Sequence, residues 1–115
     1  MAQAESPPAR LTRRAAFLRL AARGRKIAKP GFVLQAARDG AAPELRIGYT
    51  ATRKLGNAVT RNRAKRRLRE AARLVLAGRR LPGVELVLIA RRETGTIPFS
   101  QLQQNLARAL DEALA

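Results

Sequence analysis

Apolar positions along this chain recur with two periods, and the switches between them predict its elements. From Thr12 to Arg23 the spacing is helical, with Phe17, Leu20 and Ala21 on one side. Thr12 is placed to cap that helix and Gly24 to stop it. Between Lys26 and Arg38 the period falls to two: Phe32, Leu34 and Ala36 alternate with Val33, Gln35 and Ala37. Pro30-Gly31 interrupts this run, so a short strand precedes it and a longer one follows. Asp39-Gly40 opens a turn that runs to Pro43. Leu45, Ile47, Tyr49 and Ala51 then alternate with Arg46, Gly48, Thr50 and Thr52, which predicts a half-buried strand antiparallel to its predecessor.

Gly56-Asn57 marks a loop end and cap, and a long helix follows. Gly78 and Pro82-Gly83 end that region. Val84 to Ala90 is almost wholly apolar, as in a strand covered on both faces. Arg91 to Pro98 reads as a loop. Ser100 with Gln103 makes a capping box for a last helix carrying Leu102, Leu106, Ala109, Leu110 and Ala113 on one side. The predicted fold is α/β of the α+β type, in the order α-β-β-β-α-β-α, with a mixed four-stranded sheet and a βαβ crossover. By the general rule for such crossovers its hand is right. Residues 1–9 are expected to be a disordered tail, and residues 10–115 one domain.

Charge changes this picture most. The 115 residues carry 24 Lys plus Arg against 8 Asp plus Glu, a net charge of +16. Self-repulsion of that size favours a polyanionic partner, nucleic acid first and an anionic membrane surface second. The positive charge concentrates in R-K-L-G-N-A-V-T-R-N-R-A-K-R-R-L-R-E-A-A-R, Arg53 to Arg73, where only Glu70 is acidic. On a helical wheel Ala64, Leu68, Ala71 and Val75 form one stripe. Asn62, Arg66, Arg69 and Arg73 form another, about 160° away. One face can pack on a core while the other presents guanidinium forks, which match phosphate oxygens in bidentate geometry. Helix-start amides after Gly56 add a second anion site. The final segment is different: from residue 84 onward Arg91, Arg92 and Arg108 meet Glu85, Glu93, Asp111 and Glu112.

Composition removes most catalytic chemistry. There is no histidine and no cysteine, so histidine bases, thiolate nucleophiles and Cys- or His-ligated metals are excluded. Among the carboxylates only Asp111 and Glu112 are adjacent, and neighbours in a helix diverge. No phosphate-loop fingerprint is present, because G-N-A-V-T-R-N-R lacks the G-K-[ST] ending. The protein alone is expected to cleave nothing and to bind no metal. No apolar run approaches the roughly 20 residues of a membrane span, and the start of the chain has no signal-peptide core, so a cytoplasmic location is expected. Glu5 and Pro7-Pro8 do not suit a transit peptide.

Read as an ordered string, L-R-I-G-Y-T-A-T-R-K-L-G-N-A-V-T-R-N-R-A-K-R-R-L-R from Leu45 to Arg69 resembles the signature of the bacterial ribonuclease P protein component. The specific part is G-N-A-V-x-R-N-R-x-K-R-x-x-R, Gly56 through Arg69. Arg10 to Phe17, Phe32 to Leu34 and Ile89-Ala90-Arg91 extend the resemblance along the chain. It implies the same element order, but with a left-handed crossover. It further implies the small subunit of a ribonucleoprotein that removes the 5′ leader from precursor tRNA and broadens substrate use. The RNA subunit would carry the active site and its Mg2+.

Carried over by position, the resemblance assigns Arg61, Asn62, Arg63, Lys65, Arg66 and Arg69 to the surface facing the catalytic RNA, and Arg53, Lys54, Asn57 and Arg73 of the same basic stretch complete the expected RNA-binding set. Arg61, Asn62 and Lys65 would also approach the leader, which a cleft with Phe17, Val33, Gln35 and Thr50 would hold. Two positions depart from the family pattern. Ala21 and Gln35 stand where aromatic residues are frequent, so stacking in the cleft is expected to give way to phosphate and amide contacts. The expected partners are the catalytic RNA and precursor tRNA, with neither DNA nor membrane. A basic structural ribosomal protein is the alternative of a different class. A protein-only nuclease and a helix-turn-helix DNA binder rank below it, and the long basic helix followed by an apolar strand does not suit the latter.

Overall fold

The computed structural model describes residues 9–38 and 43–115. The predicted Asp39-Gly40 turn and all of the predicted tail except Ala9 lie outside them. The elements are β1 (Ala9–Arg10), α1 (Arg14–Arg23), β2 (Arg25–Lys29), β3 (Phe32–Ala37), β4 (Arg46–Thr50), α2 (Ala58–Leu76), β5 (Glu85–Ala90) and α3 (Phe99–Ala113). Two short 3₁₀ turns, Arg53–Leu55 and Arg92–Gly95, precede α2 and α3.

The strands form one mixed sheet in the order β1-β4-β5-β3-β2. Its centre is β5, where Leu86 and Leu88 are buried on one face and Val87 on the other. A strand covered on both sides belongs in the middle of a sheet. This placement corrects the expectation for β4. It runs opposite to β3 but does not pair with it, because β5 lies between them, antiparallel to β3 and parallel to β4. The β4-α2-β5 segment is the expected βαβ unit. The sheet has five strands rather than four, since Ala9 and Arg10 add a parallel edge to β4.

Both outer helices differ from the predicted caps. Leu11 is buried and its N–H is bonded to the Ile47 carbonyl at 3.0 Å, which keeps this stretch extended. Arg13 is therefore the N-cap of α1, and its carbonyl accepts from Ala16 and Phe17. Gly24 does end α1, in extended rather than left-handed backbone. In α3 the cap is Pro98, whose carbonyl accepts from Gln101 and Leu102 at 3.0 Å, so Ser100 falls inside the first turn and makes no cap.

Helices α2 and α3 cover one face of the sheet, burying Phe32, Leu34, Leu68, Leu86, Leu88, Leu102, Leu106 and Leu110 in the main core. On α2 the buried positions are Ala64, Leu68, Ala71, Ala72 and Leu76, whereas the predicted Val75 is half-buried. Burial of this set removes several leucine side chains from water, each worth about 1.5–3 kcal/mol. The other face receives only α1, through a smaller cluster of Leu11, Ala16, Leu20 and Val87. One short helix cannot cover five strands, and this unequal cover leaves Val33, Thr50 and Ile89 only half-buried.

Candidate nucleic-acid interface

The basic helix is anchored at its start by local chemistry. The Asn57 side chain accepts the Thr60 N–H at 2.9 Å, and the Asn57 carbonyl accepts the Arg61 N–H at 3.0 Å. Such a cap contributes about 1 kcal/mol. Gly56 has φ 142°, a backbone region that only glycine enters without strain. The Arg61 guanidinium folds back to donate to the Gly56 carbonyl at 3.1 Å. Arg53 and Lys54 sit exposed on the preceding 3₁₀ turn.

Of the residues expected to contact RNA, Arg53, Lys54, Asn57, Asn62, Arg63, Arg66, Arg69 and Arg73 are exposed or half-buried at the surface, as are Arg61 and Lys65. All ten lie on one helix and its approach. They are not equivalent. Arg73 donates through Nε and Nη2 to both Glu70 carboxylate oxygens, at 3.1 and 2.6 Å. That hydrogen bond holds the Glu70 carboxyl below its usual range against the opposing effect of desolvation, with a lesser contribution from the Arg73 charge. Arg69 lies over the Tyr49 ring, 5.3 Å from its centroid. Arg63 and Arg66 form no ion pair among the described residues.

Arg67 is the residue in this run whose role the sequence did not reveal. Its Nη1 donates to the Thr94 carbonyl and its Nη2 to the Ile97 carbonyl, both at 2.6 Å, and the guanidinium lies over Phe99 at 5.9 Å. Thr94 is buried in turn. Its hydroxyl donates to the Gly31 carbonyl at 2.5 Å and accepts the Arg91 N–H at 2.7 Å. A fork spent on two carbonyls is a clamp between α2 and the β5–α3 connection.

On the opposite face, strand register gathers the cleft residues. Val33, Ile89 and Thr50 stand side by side across β3, β5 and β4, all half-buried. Gln35, Val87 and Gly48 form the next row. Phe17 reaches this row from α1, and a Cβ added to Gly48 would come within 2.4 Å of its ring. The four expected cleft residues thus share one face. Ile89 belongs with them and was missed, although its alternation with Leu88 could have shown it. Lys26 pairs with Gln35 and so adds an exposed cation on the same side.

The carboxylates do not converge. Glu70 pairs with Arg73, Glu85 with Arg19, Glu112 with Lys29, and Asp111 lies 3.7 Å from Arg79. Among the described residues no three acidic side chains are placed to hold a metal ion, and no helix is long and apolar enough to cross a membrane.

A family model described as Ribonuclease P matches residues 6–114. The chain belongs to the ribonuclease P protein family. It is 53% identical over 105 residues to a ribonuclease P protein component of Gluconacetobacter diazotrophicus, covering 90% of each chain. A counterpart from Symbiobacterium thermophilum is 43% identical over 104 residues, again with 90% of each covered. Among solved structures, the Staphylococcus aureus RNase P protein superposes with a TM-score of 0.75 at 29% identity, over 90% of this chain and 94% of the other. The Thermotoga maritima RNase P protein gives 0.72 at 28%, over 90% and 96%. The ribosomal-protein alternative is not favoured by these matches.

Two family positions can be tested by experiments on this chain itself. A Gly48→Ala variant must push the Phe17 ring aside, because the ring end is the softest neighbour of the new methyl. We expect a stability loss of about 1–3 kcal/mol, as for other overpacked sites, with the cleft altered and α2 unchanged. Thermal melts and leader-dependent binding would show both effects, and an unshifted melt would place the ring elsewhere. Tyr49 offers a pH signature. Burial raises its hydroxyl from 10.0 to about 12, against a smaller opposing pull from Arg69. A raised folded pKa contributes stability that is complete below pH 10 and lost as pH rises through about 12. As the chain's single tyrosine, it can be followed by its phenolate absorbance. Ionisation near pH 10 in the folded protein would contradict its buried setting.

Proposed function

We propose that this protein is the protein subunit of a ribonucleoprotein ribonuclease P that removes the 5′ leader from precursor tRNA in the cytoplasm. The exposed arginine and lysine side chains of α2 and the preceding turn bind the catalytic RNA. The cleft on the other face of the sheet, with Phe17, Val33, Gln35 and Thr50, takes the single-stranded leader. Hydrolysis and the Mg2+ that supports it belong to the RNA subunit. This division agrees with the ion-paired, scattered carboxylates of the protein. DNA and membranes are not partners in this scheme.

The observation that carries the proposal is the coexistence of two separate surfaces on one sheet. A cationic helix lies above one face, and an incompletely covered row of Val33, Ile89 and Thr50 lies on the other. Basic side chains lower the repulsion between two polyanions, and the cleft adds contacts that only a leader-bearing substrate can make. Gln35 is 7% exposed and Ala21 carries no ring. With the Gln35 amide buried and no ring at Ala21, phosphate contacts, aided by the exposed Lys26 beside Gln35, outweigh base stacking in this cleft.

The test is reconstitution with a bacterial ribonuclease P RNA transcribed in vitro and a precursor tRNA at low Mg2+. Protein alone should be inert, RNA alone weak, and the mixture active. Equal cleavage with and without protein would reject the proposal. For the cleft, Phe17→Ala should reduce the affinity difference between precursors with long and truncated leaders. An unchanged difference would remove Phe17 from the leader site.

A further inference from the structure

Two arginines of α2 lie over aromatic rings, and they spend their hydrogen-bond donors differently. Arg67, over Phe99, gives its Nη1 and Nη2 to the carbonyls of Thr94 and Ile97. Arg69, over Tyr49 at 5.3 Å, donates to no protein group among the described residues. A ring contact occupies the face of a guanidinium and leaves its five N–H groups at the edge available. Arg67 is thus consumed by the fold, whereas Arg69 is held in place with its donors unspent.

Its neighbours sharpen the contrast. In the outward stripe Arg73 is tied to Glu70 through both carboxylate oxygens, and Arg66 has no ion pair among the described residues. Arg69 is the member of that stripe braced by an aromatic side chain and not neutralised by an acid. Tyr49 is itself rigid. It lies on β4 opposite Leu88 of β5, half-buried, and packs against the main core. A ring fixed by the sheet therefore fixes a guanidinium on the helix.

We propose that Tyr49 is a positioning residue that presents the Arg69 guanidinium, edge free, to one phosphate of the catalytic RNA. This rests on the assignment of α2 as the RNA-facing helix. A long side chain already held against a ring loses less rotamer freedom on binding than one waving in solvent. The ring remains uncharged up to about pH 12 because of its burial, so the contact is with a neutral aromatic face across the physiological range.

The experiment is a double-mutant cycle on the full chain, measuring Kd for an in vitro transcribed bacterial ribonuclease P RNA at several salt concentrations. The variants are Tyr49→Phe, Tyr49→Leu, Arg69→Ala and Tyr49→Leu/Arg69→Ala, each with a thermal melt. Tyr49→Phe keeps the ring and should bind within about twofold of the parent. Tyr49→Leu should bind about two- to fivefold more weakly, the strength of an exposed cation–π contact. It should cost nothing further when Arg69 is already alanine. Any general loss of fold caused by leucine would appear in both backgrounds and cancel in the cycle. Equal cost of Tyr49→Leu in both backgrounds, with Arg69→Ala itself weakening binding, would overturn the positioning role alone. An Arg69→Ala variant with unchanged Kd and salt slope would instead remove Arg69 from the RNA face, and the proposal with it.

Discussion

Arg67→Ala is expected to lower the stability of the domain by about 3 kcal/mol and to leave the salt dependence of RNA binding unchanged. Each hydrogen bond from a charged donor contributes roughly 1.5–3 kcal/mol when it is shielded from water, and Arg67 makes two, both at 2.6 Å and part-buried. Its removal strands the carbonyls of Thr94 and Ile97 and loosens the connection that Thr94 ties to Gly31. In a domain of this size about 3 kcal/mol corresponds to a fall in Tm of roughly 10 °C. Lysine should recover less than half, since one ammonium cannot reproduce a planar fork on two carbonyls. A melt within about 2 °C of the parent, together with a shallower salt slope, would show that Arg67 contacts phosphate and is not a clamp.

The double replacement Arg63→Ala/Arg66→Ala is expected to behave in the opposite way. Both side chains lie at the surface and neither forms an ion pair among the described residues. Their loss should change stability by no more than about 0.5 kcal/mol each, and relief of self-repulsion in a chain of net charge +16 acts in the protein's favour. Affinity for the ribonuclease P RNA should fall about tenfold or more at moderate salt. The slope of log K against log salt should flatten by about 1.4–1.8, at roughly 0.7–0.9 for each phosphate no longer neutralised. Binding titrations from low to high salt would measure it. An unaltered slope would mean that the helix meets RNA through other residues.

These paired expectations show where local reading of the chain stops. The start of α2 was legible because Gly56 and Asn57 act on their immediate neighbours: the Asn57 side chain reaches only as far as Thr60. The stripe of Ala64, Leu68 and Ala71 was legible for the same reason, since helical period alone sets which residues share a side. The duties of the arginines were not. Arg67 stands among eight other basic residues between Arg53 and Arg73 with nothing in its surroundings to set it apart. Its acceptors lie 27 and 30 residues further along the chain.

Strand order followed a similar division. Alternation placed β3 and β4 correctly, but proximity in sequence suggested pairing between them. Double-sided burial of β5 put that strand between them instead. The cleft was named through family resemblance as Phe17, Val33, Gln35 and Thr50. Register was needed to set Ile89 between Val33 and Thr50 and to show that Gly48 is bare because the Phe17 ring occupies its place.

By itself, then, the sequence determined the types of all the main elements except the edge strand β1, the cationic helix, the lack of histidine and cysteine chemistry, and the ordered string that marks the family. Period, the Asn57 cap and charge density are properties of residues near one another in the chain. Only the tertiary structure decided which strand is central, that Arg67 is spent on Thr94 and Ile97, and that Arg69 lies over Tyr49 with no acid beside it among the described residues. Those outcomes depend on acceptors, rings and strands that folding alone brings within a few ångströms.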